Sequence, residues 1–125
     1  MPDEIKKIKI LAVDDDEDLL KLIEMFLKKK GYDIKCEPTG KNALDIVNSF
    51  EPDIIILDFI MPGMDGGKTF LLLQEKFDYK LPTIFLTGTM LKLSSHKVNP
   101  KISRYLRKPF DFEELDKLIK DILSL

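Results

Sequence analysis

Carboxylates, a hydroxyl and an ammonium group recur where apolar runs end. Asp14-Asp15-Asp16 follows the run 8–13, Asp58 closes IIIL at 54–57, Thr87 follows TIFL at 83–86, and Lys108 stands between Tyr105-Leu106-Arg107 and Pro109. In an open parallel α/β sheet, ligands gather outside the carboxyl ends of the strands. If those runs are parallel strands, the four ends meet in one cleft. The acids have an ordinary use, because Asp and Glu favour a helix N-cap and first turn. Asp16, Glu17 and Asp18 suffice for that use, which leaves Asp14 and Asp15 over. Bringing Asp58 beside them crowds three carboxylates that repel one another, and a hard divalent cation relieves the repulsion. Magnesium suits such a site, since it takes oxygen ligands and keeps waters for exchange with phosphate. On the acids alone, capping and metal binding stand level.

The remaining groups sharpen the chemistry. Lys108 could be one more solvated lysine, but Pro109 holds it extended at the end of an apolar run. A Thr at a strand end is usually structural, so Thr87 means little by itself. Taken together, a carboxylate nucleophile, a bound cation, a hydroxyl and a fixed ammonium are what formation of an acyl phosphate needs.

The elements that position these groups alternate along the chain. Strands are expected over 8–13, 32–37, 53–57, 83–86 and 104–107. The first helix is expected over 19–30, with Leu19, Ile23, Phe26 and Leu27 on one face, closed by Lys28-Lys29-Lys30 and Gly31. Ala43, Leu44 and Val47 mark a second helix that ends before Glu51-Pro52, because a residue preceding proline avoids the right-handed helical region. A third begins near Gly66 or Gly67 and carries 69–77. In the last, Asp111 and Glu114 form a capping-box pair ahead of Phe112, Leu115, Leu118, Ile119 and Ile122. Between Leu86 and Arg104, TGTMLKLSSHKVNPKIS is too polar and too interrupted for a regular helix, so a short or irregular fourth helix is expected there. Five strand–helix alternations imply an α/β fold, a parallel sheet with helices on both faces.

Composition bounds the function. A chain of 125 residues has room for one domain, and a net charge of −2, from 22 acids and 20 bases, does not suit capture of nucleic acid or an anionic membrane. Cys36 stands alone, which fits a reducing, cytoplasmic setting. The first 18 residues lack a signal-peptide core, and nothing approaches membrane-spanning length. The expectation is a soluble intracellular domain.

LAVDDDED, IIILDFIMPGMDG, IFLTG and YLRKPF, in that order, make the chain resemble a response-regulator receiver domain of two-component signal transduction, a chemotaxis-regulator-like unit, over essentially its whole length. The resemblance implies a flavodoxin-like, doubly wound (βα)5 fold of strand order 2-1-3-4-5, with residues 1–125 forming a single receiver domain. It implies that Asp58 is the phosphoacceptor. Asp14 and Asp15, with Asp58 and the backbone carbonyl of Ile60, would hold Mg2+, for which Mn2+ can stand in. Thr87 and Lys108 would contact the phosphoryl group, Tyr105 would be the switch aromatic, and the Lys108–Pro109 bond would be cis. The implied donor is a sensor histidine kinase or a histidine phosphotransfer protein. The implied recipient is an output domain or separate effector that reads the face of the fourth helix, fifth strand and last helix; a phosphorylation-dependent dimer is a further implied state. The family is a signalling domain that assists its own phosphorylation and dephosphorylation without being a turnover enzyme. No nucleic acid or membrane is implied for this domain.

The departures lie on the output side. Where the family often carries Gly-Ala before the switch aromatic, this chain has Lys101-Ile102-Ser103-Arg104, preceded by Asn99-Pro100. Ile60 and Thr89 flank the path of an attacking water, and a branched Ile60 is expected to slow loss of the phosphoryl group. His96 reads as incidental, and Phe70-Leu71-Leu72-Leu73 as four partly buried residues rather than a docking patch. Two other functions remain open at this point. Asp14-x-Asp16 also resembles the nucleophile motif of haloacid-dehalogenase-type phosphatases, with Asp14 as nucleophile and Asp16 as general acid, but that leaves Asp58 unexplained. A receiver-like binding module that works without phosphorylation is the other. Stand-alone receiver and part of a longer regulator are both compatible with the sequence.

Overall fold

The computed structural model of the chain describes residues 7–59, 66–88 and 99–125. Their order is β1 (Lys9–Val13), α1 (Glu17–Lys29), β2 (Asp33–Glu37), α2 (Gly40–Phe50), β3 (Ile54–Asp58), α3 (Gly66–Lys76), β4 (Thr83–Thr87), β5 (Ser103–Arg107) and α4 (Phe112–Leu123). All four strand pairings are parallel. The sheet order is β2-β1-β3-β4-β5, the doubly wound arrangement expected. The described residues hold four helices. The irregular helix expected between β4 and β5, with His96, falls largely on 89–98 and lies outside the described residues, as do Ile60 and Met61-Pro62-Gly63.

Alternation along the strands divides the core into two layers. Ile10 and Ala12 of β1, Ile54 and Ile56 of β3, and Ile84 and Leu86 of β4 face α1 and α4. Leu11 and Val13, Ile55 and Leu57, and Phe85 face α2 and α3. Successive strand side chains point to opposite faces, so strands covered on both sides read as continuous apolar runs. β3 and β4 are buried along their entire lengths.

Local signals place the helix ends. Gly31 takes φ 95°. Its N–H donates to the Lys28 carbonyl and that of Tyr32 to the Leu27 carbonyl, at 3.0 and 3.1 Å. That pair of bonds is a Schellman cap, which needs a left-handed residue and so favours glycine. Glu51, ahead of Pro52, leaves the helical region for φ 52° and closes α2. The Asp111–Glu114 capping box opens α4. One expectation fails. In the apolar stretch of α3, Phe70 and Leu73 are buried but Leu71 is 38% exposed. An α-helix turns 100° per residue, so four consecutive side chains cannot all face the sheet. No helix among the described residues is long and apolar enough to cross a membrane.

Candidate functional site

Asp14, Asp15, Asp58, Thr87 and Lys108 each sit at or just past the carboxyl end of a strand. Asp14 follows β1 and is wholly buried, while Asp15 is exposed. Asp58 is the last residue of β3, paired in register with Leu86, and is 6% exposed. Thr87 ends β4 and is buried. Lys108 follows β5, and its peptide bond to Pro109 is cis.

The three consecutive acids divide their work. Asp16 caps α1, accepting a hydrogen bond from the Leu19 N–H at 3.1 Å. Asp14 turns inward, and its Oδ1 accepts from the Asp16 N–H at 2.9 Å. Asp15 joins Asp14 and Asp58, one carboxylate oxygen of each lying within 4.8 Å of the others. So capping accounts for Asp16 and leaves an acid group over. Three carboxylates this close suit one small, hard divalent cation.

Lys108 is the countercharge. Its Nζ lies 2.7 Å from Asp14 Oδ2 and 3.5 Å from Asp58 Oδ2. Asp14 Oδ2 is buried and receives no directed hydrogen bond among the described residues. The Lys108 ammonium is the close cation that offsets its charge. Burial works against the ammonium, but attraction to Asp14 and then to Asp58 outweighs it and holds the Lys108 pKa above its ordinary value. The backbone fixes the lysine as well, since its N–H donates to the Thr87 carbonyl at 2.7 Å. An oxygen of Asp14 therefore stays buried beside a cation, and with Asp15 and Asp58 it belongs to an all-oxygen donor set of the kind a hard divalent ion takes.

Tyr105 is the middle residue of β5. It pairs with Phe85 across β4 and β5, is 44% exposed, and stacks on the Phe85 ring with centroids 5.3 Å apart. Asp14, Asp15, Asp58 and Lys108 are thus brought together; Thr87 is joined to them through the Lys108 backbone; Ile60 lies outside the described residues.

A second polar cluster went unforeseen. Buried Asp116 of α4 accepts from the Tyr32 hydroxyl at 2.6 Å, with Lys120 Nζ at 3.0 Å and Lys30 Nζ at 3.9 Å. Burial alone raises a carboxyl pKa, yet the Tyr32 hydrogen bond and the two lysines reverse that and hold Asp116 below the usual range. Burial first, then Asp116, pushes the Tyr32 hydroxyl well above its ordinary value. The signal was available in the spacing, since Asp116 falls between Leu115 and Ile119 on the apolar face of α4.

Comparison with known proteins gives the family and the fold. The sequence model of the response regulator receiver domain matches residues 10–120. Chemotaxis protein CheY4 of Vibrio cholerae is similar in structure, with a TM-score of 0.80 and 26% identity over 94% of this chain and 99% of that one. A response regulator from Thermotoga maritima, solved in complex with Mg2+ and BeF, has a TM-score of 0.78 and 29% identity, over 92% and 98% of the two chains. The N-terminal domain of a three-domain response regulator/sensory box/GGDEF protein from Carboxydothermus hydrogenoformans has a TM-score of 0.78 and 30% identity, over 93% and 94%.

Proposed function

The chain belongs to the response regulator receiver domain family, and on that premise we propose that it takes a phosphoryl group onto Asp58 from a histidine kinase or histidine phosphotransfer protein. The observation that carries this reading is the convergence of the Asp14, Asp15 and Asp58 carboxylates within 4.8 Å, with Lys108 against two of them. An Asp58 oxygen attacks phosphorus, the P–N bond of the donor phosphohistidine breaks, and the electron pair returns to the donor imidazole. Asp58 becomes an acyl phosphate. Asp14, Asp15, Asp58 and the Ile60 carbonyl would hold Mg2+ (or Mn2+), which neutralises charge on the transferring group. The chain's own residues position and compensate. β3 holds Asp58 rigidly in register, and Lys108 is placed to leave Asp14 for a phosphoryl oxygen.

Phosphorylation adds roughly −1.5 to −2 charges. Lys108 and the Thr87 hydroxyl follow that charge, Tyr105 responds, and the surface on either side of β5 is re-formed for an output domain, a separate effector or a second copy. That is a local electrostatic event biasing a two-state element. Residues 1–125 act as one receiver unit in this reading, a signalling domain without ordinary turnover. The phosphatase alternative needs Asp16 as a general acid, and Asp16 is engaged in capping α1. Beryllofluoride with Mg2+ provides the test, because it mimics an acyl phosphate. It is expected to bind the parent and raise its melting temperature, and to have no effect on Asp58→Asn. Steady hydrolysis of a generic phosphate ester, or an unresponsive parent, would overturn the proposal.

A further inference from the structure

Aromatic rings run without a break from the residue after Asp58 to the exposed side of β5. Phe59 meets Phe85 edge-on, with centroids 6.4 Å apart and planes at 80°. Phe70 of α3 tilts against the same ring at 5.0 Å. Tyr105 stacks on it at 5.3 Å with the planes 22° apart. Phe85 is wholly buried, so its ring is held among three others, whereas Tyr105 is 44% exposed. Offset stacks and edge-to-face contacts are the favoured aromatic geometries.

Register gives the arrangement its consequence. Phe85 is the direct cross-strand partner of Tyr105, and Arg107 that of Thr87. Phe85 and Thr87 are two residues apart on β4, so they share a face of the sheet. Thr87 is therefore diagonal to Tyr105, a separation that a long aromatic side chain can bridge. One ring cannot lie flat on Phe85 and also lean along β4 to Thr87. The two placements compete.

The geometry points to Phe85 as a positioning residue that holds Tyr105 in its outward, stacked placement, with Phe59 tying that placement to the backbone beside Asp58. This rests on the reading of Tyr105 as the switch aromatic and concerns what sets its resting position. Thr87 pulls the ring inward, Phe85 holds it out, and the balance between them decides how readily the output face changes. The size of the Phe85 side chain then sets the response without touching phosphoryl group or metal.

The test uses the 125-residue chain labelled with fluorotyrosine and read by fluorine NMR. There are three tyrosines, and Tyr105→Phe assigns the relevant signal. In protein free of any phosphoryl mimic, Phe85→Leu is expected to shift the outward-to-inward ratio of Tyr105 about two- to tenfold, the ratio equivalent of one aromatic pair. Loss of the Phe85 ring current displaces the Tyr105 signal by itself, so the ratio is read from the fluorine–proton NOE between Tyr105 and the Thr87 methyl group, with the Tyr32 and Tyr79 signals unmoved. Should the leucine variant not fold, Phe85→Met fills the volume without a stacking ring and serves the same comparison. A folded variant whose Tyr105–Thr87 NOE is no stronger than the parent's overturns the inference. Adding Mg2+ and beryllofluoride to the parent is a separate arm. If the parent's Tyr105 ignores them, the switch reading of Tyr105 falls, while the first comparison still decides the role of Phe85.

Discussion

Lys108→Met removes the countercharge of the acid cluster while keeping an unbranched apolar stem. At an effective dielectric of about 20, an ammonium 2.7 Å from one carboxylate and 3.5 Å from another gains about 6 and 5 kcal/mol of attraction. Those are gross figures. Desolvating the ammonium costs several kcal/mol, and the Lys108 side chain is 25% exposed, so solvent screens part of each attraction. Losing one partner of a fully buried pair costs about 3–5 kcal/mol. With the screening, a net destabilisation of about 2–4 kcal/mol is expected for Lys108→Met. Urea unfolding at neutral pH, in EDTA, measures it. The same titration with excess Mg2+ supplies a second, sharper readout. A ligand that binds only the folded state at about 100 times its dissociation constant adds about 2.7 kcal/mol. The uncompensated acids of the variant should bind Mg2+ more tightly than the parent, so the metal should recover more stability in the variant. A loss below about 0.5 kcal/mol, the ordinary range for an exposed substitution, would refute the reasoning. So would an Mg2+ increment equal to the parent's.

Three further outcomes are expected. Tyr32→Phe removes the hydroxyl that donates to Asp116 at 2.6 Å and should cost about 1.5–3 kcal/mol in urea unfolding. Because the folded Asp116 pKa is lowered, its contribution is complete above the unfolded value, about 3.9. It fades as pH falls from there through the lower folded value. Stability measured across that acid window should therefore fall less steeply in Asp116→Asn than in the parent. Cys36 is half-buried with its Sγ 3.6 Å from the Leu20 carbonyl, and burial, then Glu24, pushes its thiol up to about 12. The thiolate is the reactive form, so a thiol reagent at mildly alkaline pH should modify the native protein slowly and the urea-unfolded protein fast. Equal rates would contradict the structure.

The fold was largely legible in the sequence because buried parallel strands write themselves as uninterrupted apolar runs. Residues 54–57 and 83–86 have no polar face to disguise them, and Gly31, Pro52 and Asp111 mark boundaries by backbone chemistry that acts locally. The gathering of Asp14, Asp15, Asp58 and Lys108 followed from topology, since parallel strands place all their carboxyl ends at one edge. What stayed hidden depends on contacts across the fold. The Tyr32 hydroxyl and the Asp116 carboxylate are 84 positions apart, and nothing local to either residue names the other. Likewise, the preference of Lys108 for Asp14 over Asp58 is set by side-chain approach within the cleft, which strand order does not specify. Leu71 was misjudged for a simpler reason. Composition said that the stretch was apolar, but helical geometry decides which of four neighbours turns outward.

Everything proposed for the cleft turns on Asp58 as the carrier of the phosphoryl group. The most direct measurement is to phosphorylate the chain with a small-molecule phosphodonor in Mg2+, trap the acyl phosphate by borohydride reduction, and locate the resulting homoserine by peptide mass spectrometry. A single modified residue is expected, Asp58, with no labelling in EDTA and none in Asp58→Asn. Homoserine at Asp14 or Asp15, or undiminished labelling of Asp58→Asn, would contradict it.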